Sequence, residues 1–387
     1  MKILQVVPTY YPAVRYGGPI RSVHGLARAL VARGHRVDVF TTCMDGPGDL
    51  DVPLDRAVDI DGVAVRYFPV SPLRRLAHSP ALSRALAGSV RDYDVVHVHA
   101  VFQLPTVAAA RAAARAGVPY VVSPRGMLMT GAIAGRSTFI KRAWIAAFER
   151  RSLREAAAVH VTAELEAAEL GNLLGPGARI AVIANGLERT PAPVPLADGP
   201  FAALPRPYAL FLSRISWKKG IDRLLRAWPG VRDLHLVIAG NDDEGYEGGM
   251  RALAGELGIG SRVSFVGPAS DEHKWALFRE AALFVLPSYS ENFGNVVVEA
   301  LSVGCPVVTS RAVGACTLVE AAGAGIVIEG DEGSIATAVS RLGSDAAAAR
   351  AMGERGRAYV EAHLGWDAIA GEMESLYRSL GDRRAGP

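Results

Sequence analysis

The 387-residue chain exceeds the length at which one hydrophobic core stops growing, and it is half hydrophobic and 21% charged. That balance excludes a disordered chain and makes two globular domains the default. Three scattered cysteines (Cys43, Cys305, Cys316) exclude a disulfide framework and a cysteine-held zinc site, which points to a reducing compartment. The net charge of +3 hides an asymmetry. The first 190 residues hold 23 Lys and Arg against 15 Asp and Glu, the rest 19 against 24. The two halves are therefore expected to meet different partners.

The opening "MKILQVVPTYYP" has one lysine and a short apolar run cut by Pro8, the pattern of a first strand rather than a secretory signal. No run of eighteen apolar residues follows, so no membrane span is expected and the cytoplasm is the expected location. Gly17 and Gly18 precede Pro19 and the helical pattern "SVHGLARALVARG", and glycines there permit close backbone approach by a ligand. The strand "RVDVFTT" comes next, and "PLRRLAHSPALSRALAGSVR" then adds four arginines. In "DVVHVHAVF" the period of two puts His97 and His99 on one face. His99 lies nearer the carboxyl end; it is either a satisfied sheet-end histidine or a cleft residue. The strand in "YVVSPRGML" ends near Arg125, which is no base at neutral pH but binds a phosphate or a developing negative charge.

Residues 136–154, "RSTFIKRAWIAAFERRSLR", set six bases (Arg136, Lys141, Arg142, Arg150, Arg151, Arg154) against one acid, Glu149. Phe139, Ile140, Trp144, Ile145 and Phe148 fall among them at helical spacing. The stretch is either a core-facing helix with a solvated basic face or a helix that lies on an anionic membrane surface. Nucleic acid is not expected, because no recognition motif or aromatic-basic platform accompanies the charge.

After the strands "AVHVTA" and "IAVIANG" the pattern breaks. Residues 189–207 carry six prolines and read as a linker and hinge. Alternation resumes with "YALFLSRI", "HLVIAG", "RVSFVG", "LFVLPS", "PVVTS" and "GIVI". The expected fold is α/β: two doubly wound, Rossmann-like domains facing a central cleft, spanning 1–188 and 208–365. The stretch 366–387 either completes the second domain or packs back on the first.

In "SYSENFGNVVVEAL" two acids, Glu291 and Glu299, frame a glycine turn and a valine run. Propensity makes the valines a strand, but the strand "CPVVTS" follows directly and a parallel sheet needs a crossover, so a short buried helix is expected. Gly294 then lies near the helix N-terminus, where a phosphate fits. Each carboxylate is suited to gripping vicinal sugar hydroxyls. In "FLSRISWKKGID" Arg214, Lys218 and Lys219 cluster before Gly220, and such bases at a strand's carboxyl end suit a diphosphate. "GNDDEG" lacks the Asp-x-Asp spacing of a metal-held diphosphate, so no metal and no other cofactor is expected.

"SRISWKKGID" followed by "ENFGNVVVEALSVGCPVV", with the Glu-x7-Glu pattern from Glu291 to Glu299, resembles the retaining glycosyltransferase family 4 of GT-B fold. The resemblance is dense in the second half and diffuse in the first. It implies that Arg214 and Lys219 hold the diphosphate of a nucleotide-sugar donor and Glu299 the ribose hydroxyls. It implies that Glu291 meets the transferred sugar, with the backbone at Phe293, Gly294 and Asn295, and that Val266 and Gly267 meet the base. Gly17 and Gly18 become a loop near the donor phosphate or the acceptor. Many relatives carry a histidine where this chain has Arg125. Either that role is vacant, His99 fills it, or the loop aligns one residue off.

The implied reaction is transfer of a hexose, with retention and domain closure, to a saccharide acceptor, taken as lipid-linked because the first half is basic. The implied setting is surface polysaccharide synthesis on the inner face of the cell membrane. The alternatives are a phosphorylase or epimerase on the same plan, or a nucleotide-sugar sensor without catalysis.

Overall fold

The computed structural model describes residues 1–13, 18–133, 138–192, 195–196, 201–242 and 244–381. They form two compact units, Met1–Gly186 with Trp366–Pro387, and Leu187–Gly365.

The first unit carries β1 (Lys2–Val6), β2 (Arg36–Thr42), a small antiparallel pair β3 (Met44–Asp45) and β4 (Gly48–Asp49), then β5 (Val58–Ile60) and β6 (Val63–Phe68). β7 (Val95–His99), β8 (Tyr120–Ser123), β9 (Ala158–Val161) and β10 (Ile180–Val182) complete it. The main sheet runs in the order β10-β9-β8-β7-β1-β2-β6-β5. Its pairs are parallel except for β5, which returns antiparallel along β6. The cause is local. Asp61 (φ +54°) and Gly62 (φ +82°) both take the left-handed conformation of a two-residue hairpin turn, which suits an Asp-Gly pair.

The helices of this unit are α1 (Gly18–Ala32), α2 (Pro80–Ser89), α3 (Leu104–Ala116), α4 (Thr130–Ile133), α5 (Thr138–Trp144), α6 (Arg150–Glu155) and α7 (Glu164–Leu174). Central strands are buried on both faces, with Leu4, Val96, Val122 and Val159 on one and Ile3, Val95, Val121 and Ala158 on the other, as crossover helices require.

The second unit has a six-stranded parallel sheet in the order β13-β12-β11-β14-β15-β16. These strands are β11 (Tyr208–Leu212), β12 (His235–Ala239), β13 (Val263–Gly267), β14 (Leu283–Leu286), β15 (Val307–Ser310) and β16 (Gly325–Ile328). Around them lie α8 (Ile221–Ala227), α9 (Glu247–Glu256), α10 (Asp271–Glu280), α11 (Asn295–Ser302), α12 (Cys316–Ala322), α13 (Glu332–Ser344) and α14 (Ala346–His363). The described residues of the proline-rich stretch pack within this unit. Leu196 and Phe201 are buried, Arg206 pairs with Glu280, and Arg279 donates to the Pro191 carbonyl at 2.6 Å.

The last helix, α15 (Trp366–Gly381), belongs to the first unit. The Trp366 indole fills a slot where a Cβ at Gly25 would come within 2.2 Å of it and one at Gly186 within 2.4 Å. Arg33 beyond the end of α1 pairs with Asp367 at 2.8 Å and Glu374 at 2.9 Å. No helix among the described residues is long and apolar enough to cross a membrane.

Candidate functional site

In the second unit the chain leaves β11, passes the exposed Arg214, and makes a short turn over Trp217–Lys219 before Gly220 opens α8. Gly220 has φ +69°, and a Cβ there would sit 2.1 Å from the Pro287 carbonyl, in the loop after β14. That close approach seams the two loops together. The Tyr289 amide donates to the Lys218 carbonyl at 2.8 Å. Arg223 donates to the carbonyls of Pro287 and Ser288, both at 2.5 Å, and lies 4.1 Å from the Tyr289 ring centroid. Across this seam the Lys219 ammonium forms an ion pair with the Glu291 carboxylate.

Glu291 is itself held by backbone. Its amide donates to Ala312 at 2.9 Å, its carbonyl accepts from Gly314 at 3.1 Å, and the Phe293 carbonyl accepts from Ala315 at 2.7 Å. Gly294 (φ +89°) turns the chain into α11, and a Cβ there would approach Val313 Cγ1 to 2.8 Å and Glu291 Cγ to 3.4 Å. The valine run is thus helical, with Val297 and Val298 buried, because packing outweighs the propensity of its valines. Glu299 lies in the second turn of α11 and accepts from Lys274 Nζ of α10 at 3.0 Å. Lys274 also sits 4.5 Å from the Trp275 ring centroid.

Each of the two acids therefore has its own lysine within the protein. The sequence suggested a ligand as their partner, and nothing in it singled out Lys274 among the residues of "DEHKWALF". Gly267 ends β13 with φ +71° and open space around its Cβ position, beside Val266, and its carbonyl accepts from Gly240 at 2.9 Å. Because β11, β13 and β14 run parallel in one sheet, Arg214, Lys219, Gly267 and Glu291 gather at its carboxyl edge, where doubly wound sheets bind ligands.

In the first unit, Gly18 is the first residue of α1, and Gly17 lies outside the described residues. His99 ends β7 and is buried, its ring centroid 4.0 Å from that of His97. A polar chain runs through this region. His97 Nδ1 bonds the Tyr377 hydroxyl at 2.6 Å and His97 Nε2 bonds Ser123 Oγ at 2.6 Å. Ser123 Oγ also bonds His160 Nδ1 at 2.7 Å, and His160 Nε2 donates to the Ile183 carbonyl at 2.9 Å. Burial pushes the pKa of His97 and His99 well below the ordinary histidine value and takes that of His160 to about 3, so all three rings are neutral. Of this chain only His97 and His99 stood out in the sequence. His160 shows the same period in "AVHVTA", while Ser123 and Tyr377 carry no signal of their own.

Arg125 follows β8 with φ +56°. It donates through Nη1 to Asn185 Oδ1 at 2.9 Å and through Nη2 to His99 Nδ1 at 3.2 Å. Burial pushes its pKa down to about 10, so it keeps its charge at neutral pH. The next amide, Gly126, donates to the buried Glu166 carboxylate at 2.6 Å, which also accepts from the Thr162 amide at 3.1 Å and so pins the loop.

The basic stretch is not one regular amphipathic helix. α5 and α6 are joined by a π-turn over Ile145–Glu149. Ile145 faces the core, whereas Phe139 and Ile140 are 84% and 66% exposed. Glu149, the one acid of the stretch, is buried and accepts from Trp144 Nε1 and the Phe102 amide, both at 2.8 Å. Arg142, Arg150, Arg151 and Arg154 are exposed, and among the described residues Arg151 alone of these has an acidic partner, Glu155 at 2.8 Å. Arg136 lies outside the described residues. Beside this stretch, between α2 and α3, Arg91, Arg111 and Arg115 line a groove of about 500 Å³ floored by alanine and glycine.

Residues 17–186 match the family described as "Glycosyl transferase 4-like domain" and residues 200–359 that described as "Glycosyl transferases group 1". A D-inositol 3-phosphate glycosyltransferase of Catenulispora acidiphila is 30% identical, over 91% of this chain and 88% of that protein. Among solved structures, the sucrose-phosphate synthase of Thermosynechococcus elongatus superposes with a TM-score of 0.76 at 24% identity, covering 99% of this chain and 100% of that one. HepE of Anabaena, solved with UDP-glucose, gives a TM-score of 0.70 at 20% identity, covering 100% and 99%.

Proposed function

This chain belongs to the family-4 type of GT-B glycosyltransferases, and we propose that it moves a hexose, with retention, from a nucleotide-diphosphate sugar to a lipid-linked saccharide in surface polysaccharide synthesis. The donor occupies the carboxyl edge of the second unit's sheet. Arg214, Lys219 and the first amides of α11 take the diphosphate, Glu299 the ribose hydroxyls, and Glu291 and the backbone at Phe293, Gly294 and Asn295 the sugar. Val266 and Gly267 border the base. The observation that carries this reading is the Lys219–Glu291 ion pair beside Gly294, which joins the cationic loop to the carboxylate loop.

In the proposed reaction the acceptor hydroxyl attacks the anomeric carbon on the face the diphosphate leaves, through an oxocarbenium-like state. The C–O bond to the diphosphate breaks, a new C–O bond forms, and the departing phosphate oxygen takes the hydroxyl proton. Lys219 and Arg214 act by stabilising the charge that builds on that phosphate, so no metal is required. The acceptor belongs to the first unit, where Arg125, His99 and Gly18, the first residue of α1, stand. HepE with UDP-glucose supports a uridine donor, and the exposed Phe139, Ile140 and arginines of the α5–α6 stretch support work at an anionic membrane surface from the cytoplasmic side.

The test is release of nucleoside diphosphate from UDP-hexoses with a membrane-extract acceptor, reading the product's anomeric configuration by NMR. Retention with loss of activity in Glu291→Ala, its fold intact, is the expected result. An inverted product, or full activity in that variant, overturns the reading.

A further inference from the structure

The loop that leaves β7 holds a backbone conformation that its residues disfavour. Ala100 has φ +75° and Phe102 φ +62°, both left-handed, where a Cβ crowds the following carbonyl. Of the six non-glycine residues with such a φ among the described residues, these two and Arg125 lie in neighbouring loops, after β7 and β8. The Ala100 amide joins those loops by donating to the Ser123 carbonyl at 2.9 Å. Both stand at the carboxyl edge of the first unit's sheet. Strain of this kind persists where the surroundings over-determine the backbone, and it clusters at ligand sites.

The restraint comes from a distant part of the chain. The Phe102 amide donates to Glu149 Oε1 at 2.8 Å, across 47 residues, and Trp144 Nε1 donates to the same oxygen at 2.8 Å. Glu149 closes the π-turn over Ile145–Glu149 and is 3% exposed. Turns of this type are rare and concentrate at functional sites. Burial pushes the Glu149 carboxyl above its ordinary pKa, against the pull of the two donors. Its hydrogen bonds thus offset part of the cost of burying it, and stability alone is a poor reason for an acid here. The β8 loop repeats the arrangement: the buried Glu166 carboxylate accepts from the Gly126 amide, next to Arg125.

We propose that Glu149 is a positioning residue for transfer: its carboxylate fixes the strained Ala100–Gln103 backbone beside His99, and that backbone shapes the subsite the acceptor enters. Placing the acceptor there rests on the function proposed above; the brace rests on the hydrogen bonds and the backbone angles. Glu149 acts through the Phe102 amide and needs no contact with substrate. Its loss therefore falls on acceptor KM, while donor binding, which belongs to the second unit, is unchanged.

The experiment compares Glu149→Leu, Glu149→Gln and Trp144→Phe in the full chain, with a UDP-hexose and the membrane-extract acceptor. Glu149→Leu leaves both N–H donors without an acceptor, and Glu149→Gln keeps a carbonyl oxygen for them. Trp144→Phe removes the indole donor and keeps the bond to Phe102. Glu149→Leu is expected to raise KM for the extract acceptor about tenfold or more, the scale of one hydrogen bond to a charged group, with KM for the UDP-hexose unmoved. Glu149→Gln is expected to restore most of the acceptor KM, and Trp144→Phe to leave it near the wild-type value.

Hydrogen exchange read by mass spectrometry checks the brace itself. The Phe102 amide is expected to exchange faster in Glu149→Leu and not in Trp144→Phe, while the β7 and β8 amides stay protected. Unchanged exchange at Phe102 in Glu149→Leu overturns the brace. Free exchange across β7 and β8 marks Glu149 as a residue of the fold at large and overturns the positioning role. So does a fall in kcat with acceptor KM unmoved, or an equal rise in KM in Trp144→Phe. A wild type that transfers nothing counts against the proposed function alone, and exchange at Phe102 still decides the brace.

Discussion

Lys219 and Glu291, 72 residues apart in the chain, form an ion pair at the carboxyl edge of the second unit's sheet, with side chains 12% and 23% exposed. The pair turns two loops that look unrelated in sequence into one polar surface. Lys219→Met is predicted to lower transfer by a factor of about 100 or more, the usual scale for losing one electrostatic stabiliser of a leaving group. Steady-state kinetics with a melting curve checks it, the melting temperature moving far less than kcat.

Gly220 is predicted to be irreplaceable for a separate reason. An alanine there needs φ +69° and puts its Cβ 2.1 Å from the backbone oxygen of Pro287, which cannot swing aside as a flexible side chain would. Gly220→Ala is expected to destabilise the second unit by more than about 1 kcal/mol. Urea denaturation read by tryptophan fluorescence measures it.

Much of this architecture is legible in the sequence because short apolar runs between glycine-rich loops record strands buried on both faces. "LFVL" and "VVTS" are cases. The helix over the valine run is legible only from topology, since its residues favour a strand. The β5–β6 hairpin is not legible although Asp61-Gly62 announces it, because β5 has only three residues and none of them is buried. At the candidate site, Arg214, Lys219 and Glu291 stand out because charge interrupts an apolar pattern. Lys274 does not, since a lysine on a polar helix is ordinary until α10 packs it beside Glu299. The Trp366 slot depends on Gly25 and Gly186, which no local pattern connects.

The buried histidines make stability depend on pH with a definite sign. His160 titrates at about 3 in the folded chain, against roughly 6.5 when unfolded. Between those values the unfolded chain binds the proton and the folded one does not. Stability is therefore full above the unfolded value and is lost as pH falls through it, by up to about 1.4 kcal/mol per pH unit for this group. His97 and His99 are displaced in the same direction and steepen the loss. Urea midpoints at pH 7 and pH 5 are predicted to differ accordingly, and His160→Gln to flatten the difference.

Phe139 and Ile140 stand out from a basic helix with no apolar cover among the described residues. Joint replacement of both by serine is predicted to reduce flotation with phosphatidylglycerol vesicles several-fold. Replacing Arg142, Arg150 and Arg154 by alanine is expected to remove about 1 kcal/mol of membrane attraction per residue. Raising salt lowers what remains of the electrostatic part. Neutral vesicles serve as the control.

The most direct test of the donor site is thermal stabilisation by UDP, GDP, ADP and CDP, each at about 100 times a plausible dissociation constant, where binding adds roughly 2.7 kcal/mol to the unit that holds the ligand. One nucleotide is predicted to raise the melting temperature of the wild type and to lose most of that effect in Glu299→Ala. No shift with any of the four, or the same shift in the variant, would contradict a donor pocket built around Glu299.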